Sequence, residues 1–290
     1  MTFNMRKWIE VKIQVTDQTT DAVSSFLFEN GSTGLIVEGD FFIAYFDEEN
    51  FINSVAEKLE NYLIFLRNLG FKDQKTKFYV KSVKDRDWNR FWKKDLKPEE
   101  ISSDILVVPS WIKKYPRKYK HVVKIDPGLA FGSGFHETTK IAARLLEKHC
   151  HGRKKMLDSG TGTGILTIIA KKLGIEKITA IDNYPLAEEI AGENLKLNGI
   201  SGDEIVLRTE DLSDFKGSGF DLITANIEEK ILSDNIEVLI NAINNGGIII
   251  FSGILKSNKN SFVNVLRRNK LKFSDELIIG DWIGFAAEKA

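Results

Sequence analysis

Asp158-Ser159-Gly160-Thr161-Gly162-Thr163-Gly164 follows a short apolar run, Met156-Leu157, and precedes Ile165 to Leu173, where apolar residues return at helical spacing. Strand, glycine loop and helix in that order form a turn whose missing β-carbons admit a ligand to the backbone and whose helix start offers free N–H donors. The carboxylate of a methionine suits those donors. A dinucleotide loop spaces its glycines G-x-G-x-x-G, whereas here the third glycine comes one residue early and Ile165 holds the expected place. A Walker loop ends in glycine, lysine and a hydroxyl residue, and Gly164-Ile165-Leu166 does not. Taken alone, the loop is also compatible with a tight structural turn.

Strand and helix patterns alternate downstream. Strands are read at Met156 to Ser159, Lys177 to Ile181, Ile205 to Arg208, Leu222 to Ala225 and Gly247 to Phe251, and helices at Ile165 to Leu173, Pro185 to Asn198, Glu229 to Asn244 and Asn258 to Asn269. Such alternation predicts a doubly wound, mostly parallel α/β sheet. Asp275 to Ile279 and Ile283 to Glu288, joined by Gly280-Asp281-Trp282, predict an antiparallel C-terminal hairpin and bring the sheet to seven strands. Thr138 to Cys150 supplies a further helix upstream.

Ligands in such sheets sit beyond the carboxyl ends of the strands. Asp182 ends the second strand, 22 residues after Gly160, the separation at which an acid accepts both ribose hydroxyls; capping the helix at Pro185 is its bland alternative. Asp211, after the third strand, is placed to accept from adenine's amino group or to serve as a turn residue. Asn226 sets a neutral amide where a substrate amine would meet the ligand, or caps the helix that follows.

The first residues read β-α-β-β-α-β: Trp8 to Val15, Thr20 to Asn30, Leu35 to Glu38, Phe42 to Phe46, Phe51 to Asn68 and Phe78 to Val83. That order predicts a split βαβ, ferredoxin-like α+β domain over residues 1–84. A linker over 85–110 carries Trp88, Phe91 and Trp92 on one helical face, read mainly as a packing surface and alternatively as a substrate clamp. The catalytic domain is expected over 111–290.

Basic and acidic residues balance at 41 each, which removes any whole-molecule attraction to nucleic acid. The single cysteine, Cys150, excludes an internal disulfide and suits a reducing compartment, so a cytoplasmic location is expected. No apolar run approaches the ~18 residues that span a bilayer. His149, Cys150 and His151 are adjacent at a helix end and cannot readily converge on one ion, so no metal is expected. Lys113, Lys114, Arg117, Lys118, Lys120 and Lys124, interleaved with Tyr115 and Tyr119, read as a solvated hairpin face or as a contact for RNA or an acidic protein.

The run Asp126-Pro127-Gly128-Leu129-Ala130-Phe131-Gly132-Ser133-Gly134-Phe135-His136-Glu137-Thr138-Thr139, the 158–164 loop, Ala225-Asn226-Ile227 and Ser252-Gly253-Ile254-Leu255 together resemble the PrmA family, methyltransferases of the large-subunit ribosomal protein L11. The resemblance spans nearly the whole chain and rests most specifically on the first run. It implies a seven-stranded methyltransferase (Rossmann-like) sheet and S-adenosylmethionine as cofactor, with contacts at Thr139, Gly160, Asp182 and Asn226. It also implies methylation of lysine side chains and the N-terminal amine of L11, which the N-terminal domain would grip. A monomer is expected. The family usually has Thr-His-Pro where this chain has Phe135-His136-Glu137, and Cys where Thr161 stands.

Methyl transfer from a sulfonium is an in-line displacement that needs alignment and a dry pocket rather than a side-chain nucleophile, so no residue is assigned a catalytic role, His136 included. Three alternatives stand beside this reading. One is a related lysine methyltransferase with another substrate, such as an electron-transfer flavoprotein subunit. The others are a nicotinamide oxidoreductase and a non-catalytic binding module.

Overall fold

The alternation Ile9, Val11, Ile13 against Glu10 and Lys12 becomes β1 (Lys7–Gln14), with the first set buried and the second half-exposed. β2 (Gly34–Glu38), β3 (Phe41–Asp47) and β4 (Phe78–Lys84) join it in an antiparallel sheet of order β2-β3-β1-β4. The apolar stripes of α1 (Thr20–Glu29) and α2 (Asn53–Asn68) place Val23, Leu27, Leu59 and Leu63 in one core with Ile9, Val11, Ile13, Phe42 and Phe46. On the opposite face Lys12 pairs with Glu38 at 2.7 Å, and the Tyr45 hydroxyl donates to Glu10 at 3.1 Å. This is the split βαβ unit that the sequence predicts.

The computed structural model describes residues 7–290 apart from 17, 33, 49–50, 52, 72–74, 76, 85–95, 127–135 and 203. The aromatic trio Trp88, Phe91 and Trp92 therefore lies outside the described residues. The chain divides into two compact units, Met1–Leu96 and Lys97–Ala290. Residues 97–110, read from sequence as linker, belong to the second unit, where β5 (Glu99–Glu100) and β6 (Ile105–Pro109) pair antiparallel. β7 (His121–Ile125) lies parallel to β6, with Ile105 opposite His121. The basic segment therefore crosses over between parallel strands and is not the hairpin face that the sequence suggested.

The main sheet has seven strands in the order β10-β9-β8-β11-β12-β14-β13. β8 (Lys155–Ser159), β9 (Lys177–Asp182), β10 (Ile205–Thr209), β11 (Phe220–Asn226) and β12 (Ile243–Leu255) run parallel. β14 (Trp282–Lys289) is antiparallel to both β12 and β13 (Leu271–Ile279), and is inserted between them. Successive residues of a strand face opposite sides of a sheet. Accordingly Met156, Leu222, Ile248 and Ile250 pack with α3 (Glu137–His149) and α4 (Ile165–Lys172), while Leu157, Ile223, Ile249 and Phe251 join a second cluster. Burial on both faces explains the near-continuous apolar composition of the central strands.

The long helix expected over 229–244 is two, α6 (Glu229–Asp234) and α7 (Ile236–Ala242), and α5 (Pro185–Leu197) precedes them. Asn235 separates the pair: its backbone sits at φ −114°, outside helical geometry, and its amide donates back to the Ile231 carbonyl at 3.0 Å. α8 (Lys259–Arg268) buries Phe262 and Leu266. β13 begins earlier than expected, at Leu271, because a register shift between Phe273 and Asp275 hides its alternation. No helix among the described residues is long and apolar enough to cross a membrane.

Asn194, fully buried on α5, ties the parts together. Its Oδ1 accepts from the Asp126 N–H at 2.8 Å, and its Nδ2 donates to the carbonyls of Asp126 and Thr163, each at 2.9 Å. Asn194→Ala would remove three hydrogen bonds to the backbone of Asp126 and Thr163 and is expected to cost about 2 kcal/mol or more. For a domain of this size that is a fall of roughly 4–8 °C in unfolding midpoint, measurable by scanning calorimetry. An unchanged midpoint would refute the role.

Candidate functional site

At the carboxyl ends of β8, β9, β10 and β11 a cavity of about 620 Å³ opens, within the size range of small-ligand sites. Gly160 and Gly162 form its floor, Asp182 and Asn183 one side, Glu210, Asp211 and Leu212 the next, and Asn226, Ile227 and Glu228 the opposite wall. His136, Ile231, Asp234, Gly253 and Trp282 add to the lining from other elements.

The floor is set by a buried acid. Asp158 has no exposed surface. Its Oδ2 accepts the hydroxyls of Thr161 and Thr167, each at 2.8 Å, and its Oδ1 that of Thr224 at 2.6 Å. Burial pushes its carboxyl above the ordinary range, and the three hydroxyl donors pull against that rise. The loop it holds brings Gly160 against β11: at φ +73°, a β-carbon there would stand 2.2 Å from Ile227 Cγ2. Gly253 is under the same restraint, since its β-carbon would meet the Ile227 carbonyl oxygen at 2.3 Å.

Asp182 ends β9 and does not cap α5, whose N-cap is Tyr184. Its Oδ2 accepts the Gly162 N–H at 2.8 Å and its Oδ1 the Tyr184 N–H at 2.9 Å, so the carboxylate is held rigidly at the cavity edge. A carboxylate oxygen accepts more than one hydrogen bond, so both remain usable by hydroxyls. Asp211 caps the short turn Leu212–Asp214 through the Ser213 N–H at 2.9 Å. That N–H, followed by the Ser213 hydroxyl and the Asn183 amide, holds its carboxyl below the usual range.

Asn226 is the last residue of β11, and α6 takes Glu228 as its N-cap, so the capping alternative for Asn226 falls. Its Nδ2 donates weakly, at 3.5 Å, to the Thr139 hydroxyl. Its Oδ1 is buried with no hydrogen-bond partner among the described residues. A buried acceptor left unsatisfied is expensive, and at a cavity wall it marks the place where a ligand donor belongs. Thr139 itself is fully buried on α3 and does not line the cavity; of the four expected contact residues, Gly160, Asp182 and Asn226 converge there and Thr139 stands behind Asn226.

His136 both lines the cavity and caps α3, its Nδ1 accepting from the Thr138 N–H at 3.3 Å. Its ring also meets Trp282 edge-on, with centroids 5.1 Å apart. Residues 127–135 of the specific run lie outside the described residues. Sequence reasoning missed Glu228, Asp234, Gly253 and Trp282. For Gly253 a signal existed, at the carboxyl end of β12; for Trp282 none did.

Five carboxylates, of Asp182, Glu210, Asp211, Glu228 and Asp234, line the cavity, and no lysine or arginine does among the described residues. Such a wall favours a cation and disfavours a diphosphate.

A sequence profile described as ribosomal protein L11 methyltransferase (PrmA) matches residues 7–290. The ribosomal protein L11 methyltransferase of Caldicellulosiruptor saccharolyticus is 32% identical over 311 aligned residues, covering 98% of this chain and 100% of the relative. That of Ruminiclostridium cellulolyticum is 31% identical, with 96% of each covered. The crystal structure of a ribosomal protein L11 methylase from Lactobacillus delbrueckii subsp. bulgaricus superimposes with a TM-score of 0.61 at 36% identity, over 67% of this chain and 100% of that one. Both compact units thus fall within one profile, and this chain belongs to the ribosomal protein L11 methyltransferase (PrmA) family.

Proposed function

We propose that this protein transfers methyl groups from S-adenosylmethionine to amines of ribosomal protein L11, lysine side chains and the N-terminal amine among them. The family match supports the reaction and the substrate. The observation that carries the site is the unsatisfied Oδ1 of Asn226, an acceptor waiting for an N–H donor in a cavity that favours cations.

The residues present fit the cofactor. Asp182 would accept the ribose hydroxyls, Gly160 would let the methionine end approach the backbone, and the acid wall suits a ligand with a positive sulfonium. When bound, S-adenosylmethionine supplies an electrophilic methyl group. Asn226, steadied by Thr139, orients the incoming amine so that its lone pair faces that methyl group. Glu228 and Asp234 draw the substrate ammonium to the cavity by charge. Before its lone pair can attack, the substrate ammonium must give up one proton, which the open cavity passes to solvent water, with the Glu228 carboxylate placed to accept it on the way.

The N-terminal domain, residues 1–84, would grip the substrate protein in this proposal, with methyl transfer confined to the C-terminal unit. A monomeric enzyme in the cytoplasm, the reducing compartment that a lone buried cysteine suits, belongs to the same reading. Ribosomal RNA, which L11 meets in the ribosome, is a second partner through the basic segment 113–124.

Incubated with S-adenosylmethionine, purified L11 should gain mass in methyl steps, and Asp182→Ala should abolish the gain. No gain despite calorimetrically confirmed cofactor binding would reject L11 as substrate. Asn226→Ala separates stability from function: it removes a buried acceptor that has no partner, so the free protein should unfold within about 0.5 kcal/mol of wild type. Its rate of methyl transfer should still fall at least about ten-fold, the equivalent of ~1.4 kcal/mol in the transition state. A clear loss of stability with activity intact would reverse the assignment.

A further inference from the structure

The C-terminal unit has a second hollow, about 490 Å³, lined by Lys113, Lys114, Tyr115, Arg117 and Val122. Residues 111–124 hold six lysines and arginines and no acid, in a chain that is neutral overall. Lys118 is paired, to Glu100 at 3.5 Å. Lys113, Lys114, Arg117, Lys120 and Lys124 have no ion-pair partner among the described residues. The positive field continues across β7. His121 is held below the ordinary imidazole range by burial and then by the charge of Lys120, and Lys172 is lowered by burial and then by Lys124.

The segment is anchored at both ends. Ser110 donates its N–H to the Ile125 carbonyl and His121 to that of Asp104, both at 2.8 Å, and the Ile112 N–H turns back to Pro109 at 2.9 Å. Three of its six cations, Lys113, Lys114 and Arg117, line one concavity. A cluster of unpaired cations raises a local positive potential that attracts a polyanion. A guanidinium fork, two ammonium groups and a half-buried phenol ring in one hollow match a chain of phosphates that carries stackable bases. A carboxylate surface would have no use for the ring.

We infer that this hollow docks the backbone of single-stranded RNA, with Lys113, Lys114 and Arg117 neutralising phosphates and Tyr115 receiving a base. The biological source, ribosomal RNA beside the substrate protein, rests on the proposed function; the binding itself does not.

The test is fluorescence anisotropy of a labelled single-stranded RNA titrated with the full chain at several salt concentrations, without L11 or S-adenosylmethionine. Three phosphate contacts predict a slope of about −2 in log affinity against log salt, from ~0.7 per phosphate on single strands. K113E/K114E/R117E should bind at least about ten-fold more weakly and lose that slope, while still binding S-adenosylmethionine by calorimetry. Tyr115→Ala should weaken RNA at least about five-fold and leave the slope unchanged. No binding by the wild type at low salt, or equal binding by the triple variant, overturns the inference. So does displacement of RNA by polyglutamate of equal charge, which would assign the hollow to an acidic protein. Because no methyl transfer is read, failure here leaves the enzyme assignment standing, and failure of methyl transfer leaves this one.

Discussion

A carboxylate with no exposed surface, surrounded by three threonine hydroxyls, is the constraint on which the C-terminal unit depends. Removing such a group from water costs several kcal/mol unless its lone pairs are used. The three donors come from the glycine loop, from α4 and from β11, so satisfying Asp158 fixes the positions of three elements at once. The loop cannot swing away from β11 without unpairing a buried oxygen. From that restraint follow the close approach of Gly160 to Ile227 and the reach of the Gly162 N–H to Asp182. The threonine at position 161, where the family usually has cysteine, fits this account: a hydroxyl donates more strongly than a thiol.

The molecule keeps its charges apart. One cavity is walled by carboxylates and one hollow by cations, although the chain as a whole is neutral. Net charge thus says nothing about either site. Local fields act over roughly a Debye length, about 8–10 Å in physiological salt, so two opposite ligand preferences can coexist on one unit without cancelling.

Legibility followed the range of the interactions. The seven-stranded order of elements, the glycine loop, Asp182 and Asn226 were readable because strand period, helix period and the carboxyl-end rule are local in sequence. The parallel pairing of β6 and β7 was not, since a connection of 11 residues, 110–120, is short for a crossover and carries no helix. Asn235 broke α6 from α7 through a side-chain bond that apolar periodicity does not register. Thr139 was placed by resemblance; its seat behind Asn226 depends on which face of α3 meets β11, a matter of packing. Glu228, Asp234 and Trp282 reach the cavity only through the arrangement of α6 and of β14, which no local pattern specifies.

The insertion of β14 between β12 and β13 bears on how the unit assembles. β12 and β13 share no ladder, so each offers an open edge until the later segment Trp282–Lys289 slots between them. The last strand in sequence fills the sheet's interior rather than its rim, and the same segment delivers Trp282 to the ligand cavity. A chain interrupted before that strand keeps the glycine loop and Asp182, yet it exposes an apolar edge of the kind that seeds misassembly. Folding quality control and completion of the pocket are thereby joined in one strand.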